Sequence, residues 1–429
     1  MIEFNNCKIF AETIEEEALN TIKSLCNDPV FKDSKIRIMP DCHQGKGIVI
    51  GFTCPAGNYV NPNHIGVDIG CQMSTIELSS PLDEDKYVEF EHKIRKNIPT
   101  GYDIHSKPII DEKELFKYLN KEYQKACSFW PEMIDDVGRI DDRFISSMCR
   151  RIGMNEGIFY KSLGSIGGGN HFAEYGLSDD GRAFFTVHCG SRNFGVKVAN
   201  YWVKRSNQVD YKKYLDSEIK RIKTTVSDRS LWQNLIEEAK IQAKNLNPLG
   251  YLSGENLKGY LSDMVIAQAY AHYNHKTILD LINKILSKYK IKEVDRINTI
   301  HNYISFEDHI IRKGAIQSYK GCKMIIPFNM RDGLAICEGK SNEDWNFSSP
   351  HGAGRIMSRI AARNKINLDE FKETMKGVYS TCIDVGTLDE SPIAYKNTEE
   401  IIRLIEPTAE ILFFVKPKIN IKASDTLSD

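Results

Sequence analysis

Five histidines, His43, His171, His188, His301 and His351, each sit in a short segment that also bears glycine, asparagine or proline. A helical core would scatter its histidines otherwise, so the chain has to fold in a way that gives these distant segments a purpose. The stretches between them have a different texture. Residues 36–75 are rich in Gly, Pro, Val and Ile and read as short strands and tight loops. Residues 111–160 look helical, with apolar residues at helical spacing in ELFKYLNKEYQKACSFW. Residues 161–195 return to glycine loops around a strand, FFTVH, and residues 211–290 are long helices such as MVIAQAYAHYNHKTILDLINKILSKY. Residues 299–355 are again rich in loops and glycine, and the end pairs a helix at about 398–404 with a strand, ILFFVKP. The helical stretches carry most of the Lys, Glu and Asp, as solvated helix faces do. This layout predicts an α/β (α+β) fold, with residues 1–429 forming a single compact catalytic domain. Mixed sheets lie at its core, surrounded by helices and by helical insertions at about 111–160 and 205–290, and function sits on the loops.

Composition narrows the partners. With 57 Lys+Arg against 58 Asp+Glu the net charge is -1, which excludes a broadly basic surface. A nucleic-acid enzyme of this composition needs a local basic groove. The 11 cysteines include no C-x-x-C pair, as expected of reduced thiols in a cytoplasmic protein. The opening MIEFNNCKIF lacks a basic stretch followed by an apolar one, and no apolar run approaches membrane-spanning length. The expectation is a cytoplasmic protein without a membrane partner.

Five constellations carry chemistry. In GVDIGCQM, downstream of MPDCHQGKGIVIG, Asp68 and Cys71 stand on one glycine-flanked loop. A carboxylate and a thiolate so placed can share a metal, and the mixed pair suits Mn, Zn, Co or Fe. The plainer alternative is a glycine turn with a buried cysteine. SLGSIGGGNHFAEY sets glycines before Asn170-His171, where backbone amides can approach a phosphate. No Lys-Ser/Thr follows, so this is not a Walker loop. In TVHCGSRNFG an apolar strand delivers His188 to its end, and Arg192 offers a planar fork for phosphate. HNYISFE repeats the pairing as His301-Asn302, with His309 nearby and RKGA following. In SSPHGAGR, His351 lies between Pro350 and Gly352, an imidazole suited to attack on phosphorus. Each histidine alone reads equally as a turn or strand-end residue. Together, an Asp, a Cys and several His from distant segments resemble an open catalytic metal site, since structural zinc sites use closely paired ligands. The residues therefore point to metal-dependent phosphate chemistry.

Taken in order, MPDCHQGKG, GVDIGCQM, GGNHF, HCGSR, HNY, RKGA, PFNM, HGAGR, DESPIAYK and NIK resemble the motif series of the RtcB RNA ligases, from about residue 36 to residue 422. The resemblance implies a GTP- and Mn²⁺-dependent enzyme that joins an RNA 3′-phosphate or 2′,3′-cyclic phosphate to a 5′-hydroxyl, in RNA repair or tRNA splicing. It implies one manganese on Asp68, Cys71 and His171 and a second on Cys71, His188 and His301, with the Cys71 sulfur bridging. Asn170, His171, Phe172 and Glu174, His301-Asn302, Pro327, Phe328, Asn329 and Met330, and His351, Gly352, Ala353 and Gly354 would line the guanylate. Tyr395 and Lys422 would contact the base, Arg192 would bind RNA phosphate, and Asp41 would sit near the same RNA site. His351 would carry the guanylate covalently. Conventional ligases use a lysine in K-x-D-G; here MRDG at 330–333 lacks that lysine and resembles the bacterial branch. A protein partner of the RNA-repair or release-factor kind is a further expectation.

The chain departs from the family at Gln72, Cys189, Phe328 and Leu334, and lacks the usual His before RKGA. Phe328 and Leu334 bear on the nucleotide contacts; the metal ligands and His351 are intact. The competing readings are a metal-dependent cyclic phosphodiesterase that no longer ligates, and an RNA-binding module without turnover.

Overall fold

The computed structural model describes residues 2–4, 6–246 and 250–424, with backbone alone for 207–214 and 242–246. Strands β1 (Ile2–Phe4) and β2 (Cys7–Ile9) precede helix α1 (Glu16–Cys26). The glycine-rich stretch then forms β3 (Ile36–His43), β4 (Ile50–Pro55) and β5 (Gln72–Leu78). Four helices follow: α2 (Tyr87–Asn97), α3 (Glu112–Phe129), α4 (Asp142–Ile152) and α5 (Glu156–Lys161). Their ends are set locally. Asp111 and Asp141 accept from the backbone N–H groups of Lys113 and Phe144, capping α3 and α4, and Gly153 closes α4 in the left-handed region at φ 67°.

The hairpin β6 (Phe172–Ser178) and β7 (Ala183–Cys189) leads into the long helices α6 (Arg192–Thr225), α7 (Trp232–Leu246) and α8 (Gly254–Leu286). Next come β8 (Glu293–Ile300), β9 (Asn302–Ile304), β10 (Ile310–Lys313), β11 (Ala315–Gln317), β12 (Lys323–Asn329), β13 (Gly333–Gly339) and β14 (Ser348–Pro350). Helices α9 (Arg359–Lys365), α10 (Leu368–Thr374) and α11 (Thr398–Ile405) and strand β15 (Ala409–Ile421) finish the described chain.

Two large sheets organise these elements. One runs β1-β2-β3-β4-β10-β9 and is mixed, because β2 and β3 are parallel. The other runs β12-β13-β15-β6-β7-β5-β8 and is antiparallel throughout. A two-stranded ribbon, β11-β14, lies apart from both. Alternation along the strands separates two faces of the seven-stranded sheet. Ile76, Phe185 and Val187 pack with Ile278 and Ile282 of α8, while Met73, Phe184 and Leu334 form a second cluster with Val415.

Three expectations need correcting. Residues 299–355 are not chiefly loop but a run of short strands, whose pattern is hidden because most are buried on both faces. Helix α6 begins at Arg192, the last residue of the HCGSR motif, so the long helices open at the site itself. Helix α8 is not a solvated insertion: it is buried around most of its circumference and packs against α2, α3 and α6 and strands β5 and β7. No helix among the described residues is long and apolar enough to cross a membrane.

Candidate active site

Topology explains why five candidate ligands from four distant segments meet. Cys71 immediately precedes β5, His188 stands at the end of β7, and His301 directly follows β8. Their antiparallel registers, Gln72 opposite Cys189 and Gln72 opposite Ile300, bring all three to one end of the sheet. His171 precedes β6, whose Phe172 pairs with His188, and so joins them. The His171 Nε2 lies 3.3 Å from the Cys71 sulfur and 3.0 Å from Asp68 Oδ2. The His188 Nε2 lies 3.3 Å from the same sulfur and 3.3 Å from His301 Nε2. The two donor groups, Asp68/Cys71/His171 and Cys71/His188/His301, thus share Cys71, each with its ligand atoms within 4.8 Å of one another.

The donor set fits two divalent ions. His188 Nδ1 donates to the Asn170 carbonyl at 3.2 Å, which leaves its Nε2 a lone pair aimed at Cys71 and His301. Burial, helped by neighbouring histidines, holds His188 and His301 well below the usual imidazole pKa, which favours the neutral form a metal ligand needs. Burial first, then Asp68, pushes the Cys71 thiol well up. A bound cation reverses that preference by favouring the thiolate. Glycine is required beside these ligands: a Cβ at Gly190 would lie 2.2 Å from an Asp68 oxygen, and one at Gly167 2.0 Å from His171 Nδ1.

The ribbon β11-β14 delivers His351. Ala315 pairs with Pro350, and the Gly314 N–H donates to the His301 carbonyl at 2.7 Å, tying the ribbon to the metal ligands. The His351 and His301 rings lie 4.8 Å apart. The His351 Nδ1–H donates to Asp41 Oδ2 at 2.6 Å, and its backbone N–H reaches the same oxygen at 3.2 Å. Asp41, expected near the RNA, is fully buried on β3 and instead orients His351.

A cavity of about 810 Å³ opens beside this centre. Asp68, Cys71, His188, His301 and His351 line it, together with Asn170, Phe172, Glu174, Asn302, Pro327 to Met330, Gly352 to Gly354, Tyr395 and Lys422. His171 and Arg192 stand behind that wall: Arg192 donates to Ser165 Oγ at 3.0 Å and to Gly101 O at 2.7 Å. His309 lies elsewhere, stacked on Trp130 at 4.1 Å. The departures resolve differently. Phe328 lines the cavity, its buried ring facing Phe414 at 6.3 Å, whereas Leu334 is fully buried in the sheet core and is not part of the cavity lining.

Two acids mark the cavity. Burial raises the Glu174 carboxyl to about 8, against the Asn420 amide that donates to it at 2.8 Å and the nearby Lys422. Glu390 behaves oppositely. Burial alone would raise it, but Lys422 at 3.0 Å, Arg359 and Arg355 pull it well below its ordinary 4.5. The Tyr395 hydroxyl also donates to it, at 2.9 Å. Because the folded pKa is the lower one, Glu390 contributes stability that is fully present above 4.5 and is lost as pH falls below it. Glu390→Gln should cost about 3–5 kcal/mol at neutral pH by leaving buried cations unpaired. It should also flatten the stability profile on the acid side; urea titrations at pH 7 and pH 4 check both effects.

Reading the sequence missed Glu390 and also Asn274 on α8. The Asn274 amide donates to Ser165 O at 3.2 Å and Gly190 O at 3.3 Å and accepts from the Gly164 N–H at 2.7 Å, joining the His171 loop to the loop after His188. His275 beside it bonds the Cys189 carbonyl at 2.9 Å. The signal was present: Asn274-His275 interrupts the otherwise apolar face of a helix.

With this geometry established, the comparisons decide the lineage. The family model described as tRNA-splicing ligase RtcB matches residues 25–423. The chain belongs to the RtcB family. It is similar to the RNA-splicing ligase RtcB of Escherichia coli (strain K12), at 25% identity over 438 residues covering 95% of each chain. It is also similar to the tRNA-splicing ligase RtcB of Nanoarchaeum equitans, at 25% identity over 431 residues covering 86% of this chain and 83% of that one. The tRNA-splicing ligase RtcB of Methanococcus maripaludis is 24% identical over 474 residues, covering 96% and 92%. The RtcB match takes in the whole seven-stranded sheet, the six-stranded sheet apart from β1 and β2, and the whole candidate site.

Proposed function

We propose that this RtcB-family protein is a GTP- and Mn²⁺-dependent RNA ligase that joins 3′-phosphate or 2′,3′-cyclic phosphate ends to 5′-hydroxyl ends through a guanylate carried on His351. One observation carries the reading: His351, held by Asp41, faces a nucleotide-sized cavity beside two ligand groups that share Cys71. Two manganese ions on those groups would neutralise charge on phosphate oxygens and lower the pKa of bound water.

The protein's own residues do the rest. Asp41 holds the Nδ1–H, so the Nε2 lone pair of His351 is free for in-line attack on the α-phosphorus of GTP. The Nε2–P bond forms as the bond to pyrophosphate breaks. Where the RNA end is a 2′,3′-cyclic phosphate, water first adds to its phosphorus and the P–O2′ bond breaks, giving the 3′-phosphate; an oxygen of that phosphate then takes the guanylate, and the Nε2–P bond breaks. The 5′-hydroxyl oxygen attacks the activated RNA phosphorus, loses its proton, and GMP leaves. Glu174 lines the cavity that would take the guanylate, held by the Asn420 amide at 2.8 Å with Lys422 close by.

An RNA pair with cyclic-phosphate and 5′-hydroxyl ends, incubated with GTP and Mn²⁺, should yield a joined strand. Conversion of the cyclic phosphate to a 3′-phosphate with no joined strand would replace the ligase by the phosphodiesterase. RNA binding without turnover would leave the binding module.

A further inference from the structure

We propose that Tyr102, on a turn braced by Arg192 beside the active site, is a stacking platform for an RNA base. The inference rests on the RNA-directed reading above and names a subsite within it.

Tyr102 is 100% exposed, the most exposed of the large hydrophobic side chains among the described residues. It stands at the tip of a tight turn closed by the Asp103 N–H donating to Thr100 O at 3.2 Å, with Gly101 at φ 68°. The turn is held rigidly. Thr100 bridges to Ile166, and the Arg192 guanidinium grips the backbone on both sides of the tyrosine, at Gly101 O (2.7 Å) and Asp103 O (3.3 Å). Arg192 Nη1 points back toward Gly167 and His171. A single residue therefore joins the aromatic tip to the metal-ligand loop.

The surroundings have the chemistry of a single-strand site. The glycine loop is flanked on both sides: a Cβ at Gly168 would lie 3.5 Å from Gly101 Cα, and one at Gly169 3.5 Å from the Arg359 guanidinium. On that opposite lip Arg359 is partly exposed, and Ile360 is 75% exposed. An exposed aromatic ring on a turn braced by one arginine, beside a glycine loop that carries a second, suits a phosphate backbone whose terminal base lies flat on the ring. Folding does not explain the exposure, because the Tyr102 side chain buries nothing.

The test is equilibrium binding of a 3′-phosphorylated RNA whose terminal nucleotide is 2-aminopurine, without GTP, to the full chain. Stacking should quench the fluorescence. Tyr102→Ala should abolish the quench and weaken binding about 5- to 100-fold, and Tyr102→Trp should restore both. Unchanged quench and affinity in Tyr102→Ala overturn the proposal. Separately, wild-type protein that binds and quenches but joins no ends overturns the ligase reading while leaving the stacking site standing.

Discussion

A Cys71→Ala protein should retain neither manganese ion after dialysis, whereas His171→Ala and His301→Ala should each lose chiefly one. The asymmetry follows from geometry. Cys71 is the member common to both ligand groups, at 3.3 Å from a histidine of each. Removing it leaves Asp68 and His171 on one side and His188 and His301 on the other, two donors apiece. Two donors are too few for a closed site on any first-row metal. Bound ions of this kind supply several kcal/mol to the transition state. At about 1.4 kcal/mol per tenfold, ligation should fall by about 10³-fold or more. Because Cys71 is almost wholly buried in a well-packed site, its sulfur is also a small core group, and thermal unfolding separates lost metal from lost folding. Inductively coupled plasma analysis of the three variants checks the stoichiometry. Two ions retained by Cys71→Ala would refute the shared ligand.

Asp41→Asn should produce the second large effect, with a different signature. The carboxylate oxygen at 2.6 Å from His351 Nδ1 fixes the tautomer in which Nε2 carries the lone pair. An amide can donate its N–H to Nδ1 and leave the proton on Nε2, the wrong atom for attack. A histidine held in the wrong tautomer loses on the order of 10³- to 10⁴-fold. Metal content should be unchanged, since Asp41 touches His351 and not the ligand groups. The guanylation step should therefore slow while manganese binding stays normal. Single-turnover labelling with GTP isolates that step.

How much of this was legible before the fold was known depends on what kind of signal each part leaves. The clustering of Asp68, Cys71, His171, His188 and His301 was legible because these candidate donors stand in glycine-bearing segments, and chemistry of that kind marks the sequence locally. The pairing of Asp41 with His351 was not, because it is a contact across 310 positions between β3 and the end of β14, and no local pattern encodes it. The same holds for Glu390, whose depressed acidity arises from Lys422, Arg359 and Arg355 on separate elements. The strands between residues 299 and 355 escaped because short, doubly buried strands show no alternation. Helix α8 was read correctly as a helix but misplaced in the fold. Its nearly continuous run of buried residues signals a central spine more than an insertion.

Covalent carriage of guanylate on His351 can be read directly from the protein. The purified protein is incubated with α-labelled GTP and Mn²⁺, quenched, digested and mapped by mass spectrometry. The account predicts one acid-labile guanylate on the peptide that contains His351, absent from His351→Ala. An adduct on a lysine, an adduct that survives His351→Ala, or no adduct in protein that still joins RNA ends would contradict it.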